Sequence, residues 1–317
     1  MSAQTSQKSM RLVRSVMAVP GHRYKMVQSA AASAADGVFI DLEDAVPPNE
    51  KAEALAGAIK ALNELDWGRK VVTVRVNSYD GNVVAAEIEA LKRGAKRLDT
   101  ILIPKVESVD TLRQAEDLIG SEGGGSADLG LEALIETAGG LANVESIAAA
   151  RGRLVGLHFG VGDFSASIGA RNVEVGGTHV GYAVTRRDEA GNYATVTQDL
   201  WGYPMMRILV AARANGLRAV DGPFGGFRDL ILTRSTALKA AAMGYDGKQV
   251  IHPAQIEVTQ AAFTSTPEEV SQAQAMVDAM EEAEAQGLAA VSVNGKMVDY
   301  ANVRMARRIL MMARADV

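Results

Sequence analysis

Short runs rich in Val, Ile and Leu recur along the chain, separated by Ala-rich stretches with helical spacing. Eight runs read as strands: SVMAV (15–19), GVFIDL (37–42), VVTVRVN (71–77), TILIPKV (100–106), LEALIE (131–136), LVGLHFG (154–160), LRAVDG (217–222) and QVIHP (249–253). They alternate little between apolar and polar positions, as strands do when both faces are buried beneath helices. Helical stretches fall between them, at 50–65, 108–119, 141–150, 204–215 and 233–243. Most successive strands start one strand–helix unit apart. The sixth and seventh start about 63 residues apart, which leaves roughly 40 residues (about 164–203) for an insertion as well as a helix. Eight such units predict an α/β fold, a closed (β/α)8 TIM barrel rather than an open doubly wound sheet.

The pattern changes after the eighth strand. An Ala/Glu/Gln/Met helix over 268–287 opens on TPEE, with Pro267 and acids in its first turn. AAVSVNGKMVD (289–299) follows with Asn-Gly as a hairpin turn, and Asp299 is placed to cap a final helix, YANVRMARRILMMARA. These signals predict a barrel over 1–265, its first twelve residues disordered, and a small C-terminal subdomain over 266–317. That subdomain has too little core to stand alone, so it is expected to pack on the barrel or on a neighbouring subunit. SEGGGSADLG (121–130) reads as a flexible loop; it lacks the Gly-Lys-Ser/Thr ending of a phosphate-binding loop.

Composition narrows the function. Of 317 residues, 48% are hydrophobic and 22% charged, enough to bury a sizeable core. The net charge of −5 argues against a general nucleic-acid binder, which needs a basic face. No apolar run reaches the ~18 residues that span a bilayer, and the polar opening MSAQTSQKSM lacks the apolar core of a signal peptide. A soluble, cytoplasmic protein is expected, with neither nucleic acid nor membrane as partner. The absence of cysteine excludes disulfides, thiolate nucleophiles and sulfur-ligated metals.

The chemistry gathers at strand ends. A buried run, Gly-Val-Phe-Ile, leads straight into Asp41, Glu43 and Asp44. The third strand delivers Arg75, the fourth Lys105, the fifth Glu136, the sixth Asp163, the seventh Asp221 and the eighth His252. In a barrel these ends form one rim, where reactive groups collect. Acids outnumber bases there, and so many carboxylates in a partly dry mouth repel one another. A hard divalent cation relieves that repulsion; oxygen ligands favour Mg2+, with Mn2+ as a substitute, over zinc. Each residue alone has a plainer reading as a helix cap or ion-pair partner. Arg75 could clamp a carboxylate or an oxyanion, or form a salt bridge to Glu43 or Asp44.

The segments RSVMAVPG, FIDLEDAV, VRVN, ILIPKVES, LIET, GVGDFSAS, AVDGPFG and VIHPAQI stand in an order that resembles the citrate lyase β-subunit-like (HpcH/HpaI) aldolase superfamily. GLRAVDGPFGGFRD, RRDEAGNYATVTQDLW and GKMVDYANVRMARRIL resemble its malyl-CoA lyases more closely, and the match covers about 15–314. The resemblance implies a barrel with a C-terminal lid, assembled as homo-trimers or hexamers in which the lid serves a neighbouring subunit. It implies Mg2+-dependent, reversible Claisen-type cleavage of malyl-CoA, or a close 3-hydroxyacyl-CoA, to glyoxylate and acetyl-CoA (propionyl-CoA from β-methylmalyl-CoA). An acyl-CoA thioester and a 2-oxo acid are then the small-molecule partners. By position, Glu136 and Asp163 match metal ligands, and Glu43 and Asp44 the acidic pair that orients metal-bound water. Arg75 matches the arginine facing the thioester oxygen, and Asp299 the lid acid/base. Arg23, Arg75, Gly162, Asp163, Ile251 and His252 match substrate and CoA contacts. Two positions depart from the pattern near the CoA pocket: Ala18 replaces an aromatic residue and Ser29 a lysine, for which Lys25 is a candidate substitute. The same site would also suit a malyl-CoA thioesterase, a citramalyl-CoA lyase or a CoA-independent 2-keto acid aldolase. A catalytically idle scaffold subunit is disfavoured by the joint presence of Glu136, Asp163, Arg75 and Asp299.

Overall fold

The computed structural model describes residues 11–78, 83–120, 128–171 and 174–315. The expected disorder at 1–12 and the glycine-rich loop therefore fall mostly outside the described residues. The chain divides into two compact units, one spanning Val13–Ala262 and the other containing Phe263–Val317.

The larger unit is a closed, all-parallel barrel of β1 (Ser15–Pro20), β2 (Gly37–Asp41), β3 (Val71–Arg75), β4 (Thr100–Ile103), β5 (Gly130–Ile135) and β6 (Leu154–Phe159), with two later strands completing it. All eight predicted strands are in it, in chain order. The helices between the first six are α1 (Tyr24–Ala32), α2 (Lys51–Glu64), α3 (Val83–Gly94), α4 (Val109–Ile119), α5 (Ala138–Ala142) and α6 (Val144–Ala148). The single helix expected over 141–150 is thus two short ones that meet at Asn143, whose backbone (φ −105°, ψ 9°) leaves helical geometry. After β6 comes α7 (Val161–Ser167), and then an exposed antiparallel hairpin, β7 (Ala183–Arg187) and β8 (Tyr193–Thr197), inside the insertion. Sequence pattern missed this hairpin because neither of its faces is buried, so no apolar face marks it. The barrel closes through α8 (Gly202–Ala214), β9 (Arg218–Asp221), α9 (Leu230–Met243) and β10 (Gly247–Val250), ending in α10 (Gln255–Phe263).

Side chains alternate across each strand. One set fills the barrel: Val16, Phe39, Val71 and Val220 form an apolar cluster with Val13. Beside it lies a buried polar layer. Thr73 and Thr100 hydroxyls lie 2.6 Å apart, Glu132 accepts from Thr100 at 3.2 Å, and the His158 ring is 3.3 Å from Glu132 and 3.0 Å from the Gln249 amide. The same alternation continues upward, so Arg75, two positions beyond Thr73 on β3, reaches the mouth.

The smaller unit pairs α11 (Pro267–Ala285) with α12 (Tyr300–Ala315) around the hairpin β11 (Ala290–Val293) and β12 (Lys296–Asp299). Thr266 and Glu269 form a reciprocal capping box, with Pro267 in the first turn. Asn294 and Gly295 both take left-handed φ values (52° and 76°), as a tight hairpin requires. Ala273, Val277, Met280, Val298, Val303, Ala306 and Leu310 make a core of its own. Asp299 caps α12, accepting from the Ala301 and Asn302 amides at 2.8 and 3.2 Å.

Candidate active site

The site is built at the carboxyl ends of β2 to β6. Asp41 and Arg75 are registered partners across β2 and β3. Arg75 donates from Nε and Nη2 to the two Asp41 oxygens, both at 2.7 Å. Asp41 also accepts from the Glu43 and Ala45 amides, at 2.8 and 3.0 Å. Its burial opposes the charge, but Arg75 and these amides still hold its carboxyl below the usual range. Arg75 is buried too, yet Asp41, Glu43 and Glu136 keep it firmly charged. Phe39 lies under the guanidinium, 5.6 Å from ring centroid to Cζ. The salt bridge expected to Glu43 or Asp44 is therefore made first to Asp41. Glu43 is the weaker neighbour, with Oε2 3.4 Å from Arg75 Nη1.

Lys105 ties the acids together. Its backbone is left-handed (φ 49°), unusual for a residue with a side chain. Its amide donates to Glu136 Oε1 at 2.8 Å, and its ammonium reaches Glu43 Oε1 at 2.7 Å and Asp44 Oδ2 at 3.3 Å. Glu43 is 4% exposed and burial raises its carboxyl pKa, against the pull of Arg75 and Lys105.

Glu136 is 1% exposed. Burial pushes its carboxyl up to about 8, and the charges of Asp163 and Glu43 add to that push against Arg75. Asp163 stands half-buried in the first turn of α7, beside Gly162. Gly160, at the end of β6, has no room for a side chain: a Cβ there would overlap Glu136 Cβ and Oε2.

Five carboxyls (Asp41, Glu43, Asp44, Glu136, Asp163) thus face two cations (Arg75, Lys105), an excess of three negative charges if all are ionised (five minus two). Glu136 is raised first by its burial, and that imbalance adds to the rise. Among the described residues, no three His, Asp or Glu side chains form a ready metal cage. The donors are nevertheless all oxygens, of the kind a hard divalent cation takes, and Glu136 and Asp163 are the two carboxyls that could hold one.

Other predicted residues stand elsewhere. Asp221 does not join the rim cluster: it turns outward between sheet and helices, where Lys248 Nζ donates to it at 2.6 Å. Its neighbour on β9, Val220, takes the interior face, so alternation sends Asp221 the other way. His252 is exposed and stacks on Phe227 with centroids 4.7 Å apart, and Ile251 beside it is exposed as well. Arg23 is exposed at the start of α1. Lys25 and Ser29 are exposed one turn apart on α1, where the Ser29 hydroxyl donates to the Lys25 carbonyl at 3.0 Å. Ala18 is half-buried against the interior apolar cluster. Asp299 belongs to the smaller unit. Asp41 as the holder of Arg75, the double duty of Lys105 and the close approach of Gly160 were not assigned from sequence. Asp41 and Lys105 were visible there only as charges at strand ends, and Gly160 only as the last residue of an apolar run.

A parallel eight-stranded barrel with acids and an arginine at its carboxyl end is the architecture of many enzymes, and similarity decides the class. Residues 14–253 match HpcH/HpaI aldolase/citrate lyase, and the chain belongs to that family of aldolases and lyases. It is 37% identical over 310 residues to the L-malyl-CoA/beta-methylmalyl-CoA lyase of Rhodobacter capsulatus, covering 96% of this chain and 95% of that one. It is also 35% identical over 302 residues to the (3S)-malyl-CoA thioesterase of Cereibacter sphaeroides, covering 95% of each. Among solved structures it resembles CitE from Mycobacterium tuberculosis in complex with magnesium, acetoacetate and coenzyme A. The TM-score is 0.73 at 29% identity, over 96% of this chain and 100% of that one.

Proposed function

We propose that this chain catalyses the reversible, divalent-metal-dependent cleavage of malyl-CoA, or a close homologue such as β-methylmalyl-CoA, to glyoxylate and acetyl-CoA or propionyl-CoA. The observation that carries this reading is the mouth itself, a fixed guanidinium among carboxyls that lack counter-charge. Similarity to L-malyl-CoA/beta-methylmalyl-CoA lyases over nearly the whole chain supports the substrate class.

Glu136 and Asp163 would hold Mg2+, or Mn2+ in its place, with Glu43 and Asp44 next to the water around it. The ion would supply Lewis acidity, lowering the pKa of the substrate hydroxyl and polarising the carbonyl that forms from it. Arg75 has Nε and one N–H of Nη2 committed to Asp41, which leaves the second Nη2 N–H and both on Nη1 to face the thioester oxygen. As the hydroxyl gives its proton to a rim carboxylate, Glu43 or Asp44, through water, its oxygen becomes the glyoxylate carbonyl and the C–C bonding pair passes into the thioester enolate. Arg75 stabilises the enolate oxygen, and Asp299 returns a proton to the enolate carbon. In the synthetic direction Asp299 removes that proton from acetyl-CoA. The smaller unit acts in this scheme as a lid over a neighbouring subunit of a homo-trimer or hexamer, excluding water from the enolate. Arg23, Gly162, Ile251 and His252 contact substrate and CoA.

One further reading has support: the thioesterase relative suggests hydrolysis of malyl-CoA to malate and CoA at the same site. Incubation with malyl-CoA and Mg2+ separates them. Glyoxylate with acetyl-CoA is the expected outcome; malate with free CoA replaces the lyase reading, and no product overturns both.

A further inference from the structure

Resting on the reading above, we infer that Lys105 is a positioning residue: by holding Glu43, it keeps Arg75 Nη1 free for the thioester oxygen.

The geometry has three parts. Arg75 is anchored by two hydrogen bonds to Asp41, so the guanidinium cannot withdraw, and the donors left to it are the second N–H of Nη2 and both N–H groups of Nη1. Glu43 is the competitor for Nη1. Its Oε2 lies 3.4 Å from Nη1, is fully buried, and accepts no hydrogen bond from a protein group among the described residues. A movement of about half an ångström would bring it to hydrogen-bond distance of Nη1. What opposes that movement is the Lys105 ammonium, 2.7 Å from Glu43 Oε1 on the other side of the carboxyl and 3.3 Å from Asp44.

The backbone fixes where that ammonium stands. Lys105 holds a left-handed φ of 49°, a conformation that disfavours any residue bearing a Cβ. Its amide is locked onto Glu136 Oε1, so the peptide that sets this carboxylate also sets the origin of the lysine side chain. Strain of this kind persists where surrounding contacts over-determine it, and here they are carboxyls of the site itself. One residue therefore fixes Glu136 through its amide and keeps Glu43 away from Arg75 through its ammonium.

The test is a double-mutant cycle of Lys105→Met and Glu43→Gln in the full-length enzyme, with a crystal structure of Lys105→Met. With Glu43 released onto Nη1, Lys105→Met should lower kcat by about 10²-fold, the scale of losing one oxyanion donor, with KM for the acyl-CoA changed less than ~3-fold. Glu43→Gln carries no charge to capture Nη1. The double variant should therefore be no slower than Glu43→Gln alone, within ~2-fold. In the crystal, Glu43 Oε2 should close on Arg75 Nη1 to about 2.9 Å. A merely structural lysine predicts losses that multiply and a Glu43 that stays in place, and either result overturns the proposal. If the wild-type enzyme does not turn over malyl-CoA, the reaction proposed above fails by itself, and the position of Glu43 in the variant crystal still decides the role of Lys105.

Discussion

Asp41 and Arg75 stand opposite each other in the β2–β3 register and share two parallel hydrogen bonds of 2.7 Å, both residues being largely buried. A fork of this kind fixes the plane of the guanidinium as well as its position. Removing the acid leaves a buried, uncompensated cation, so Asp41→Ala should destabilise the barrel by about 3–5 kcal/mol, read from urea unfolding. Arg75→Lys keeps a charge but cannot span both oxygens. It should lower kcat by about 10²–10³-fold while the acyl-CoA KM changes little.

Gly160 and Glu136 make a second such pair, defined by space rather than charge. A Cβ at Gly160 would overlap the Glu136 side chain, and Gly160 donates its amide to the Ile135 carbonyl at 3.0 Å, so its backbone has little freedom to retreat. Gly160→Ala should therefore cost about 1–3 kcal/mol in stability and displace Glu136, weakening Mn2+ binding measured by electron paramagnetic resonance.

Glu136→Gln separates the proposed metal-binding role of this residue from its role in the fold. With its carboxyl pushed up to about 8 from an ordinary 4.5, Glu136 favours folding fully below about pH 4.5. That contribution is lost as pH rises through 8, because the unfolded chain releases the proton earlier. Glutamine keeps the acceptor for the Lys105 amide and has no proton to lose. The metal-free variant should melt no lower than wild type at pH 8. Mg2+ should raise the melting temperature of wild type but not of Glu136→Gln. Stripping metal with a chelator should abolish turnover in wild type, and Mg2+ or Mn2+ should restore it.

Glu132 shows the opposite sign. It is fully buried in the barrel, yet the His158 ring, Arg218 and Thr100 draw its carboxyl down to about 2. Its contribution to stability is present above about pH 4.5 and lost as pH falls through 2. Acid unfolding of wild type should be steeper over that window than that of Glu132→Gln, which should also be less stable at neutral pH, in circular dichroism melts.

Asp299→Asn distinguishes cap from catalyst. Asparagine is as good a helix cap as aspartate, so α12 and the melting temperature should be unaffected. Turnover should fall by at least about 10²-fold, the scale of losing a general acid. Mixing Asp299→Asn with Glu136→Gln subunits should restore part of the activity if the lid of one subunit serves the site of another. No recovery in the mixture would place lid and site in the same chain.

Much of this was legible in the sequence. The eight strands and their order follow from apolar runs spaced one strand–helix unit apart, because a strand covered on both faces must be apolar throughout. The acids at strand ends were visible for the same reason: a carboxylate closing a buried run marks where the chain leaves the core. The β7–β8 hairpin was not legible, having no buried face, and neither was the break at Asn143.

By itself, the sequence determined the barrel, the rim it presents and the residue types collected there, since these depend on local periodicity and chain order. Only the tertiary structure decided which acid holds Arg75, that Asp221 turns away to Lys248, and that Lys105 serves Glu136 and Glu43 together. Such pairings depend on strand register, on which face alternation gives each side chain, and on a left-handed backbone angle. Those quantities are set by residues far apart in the chain, and no local pattern encodes them.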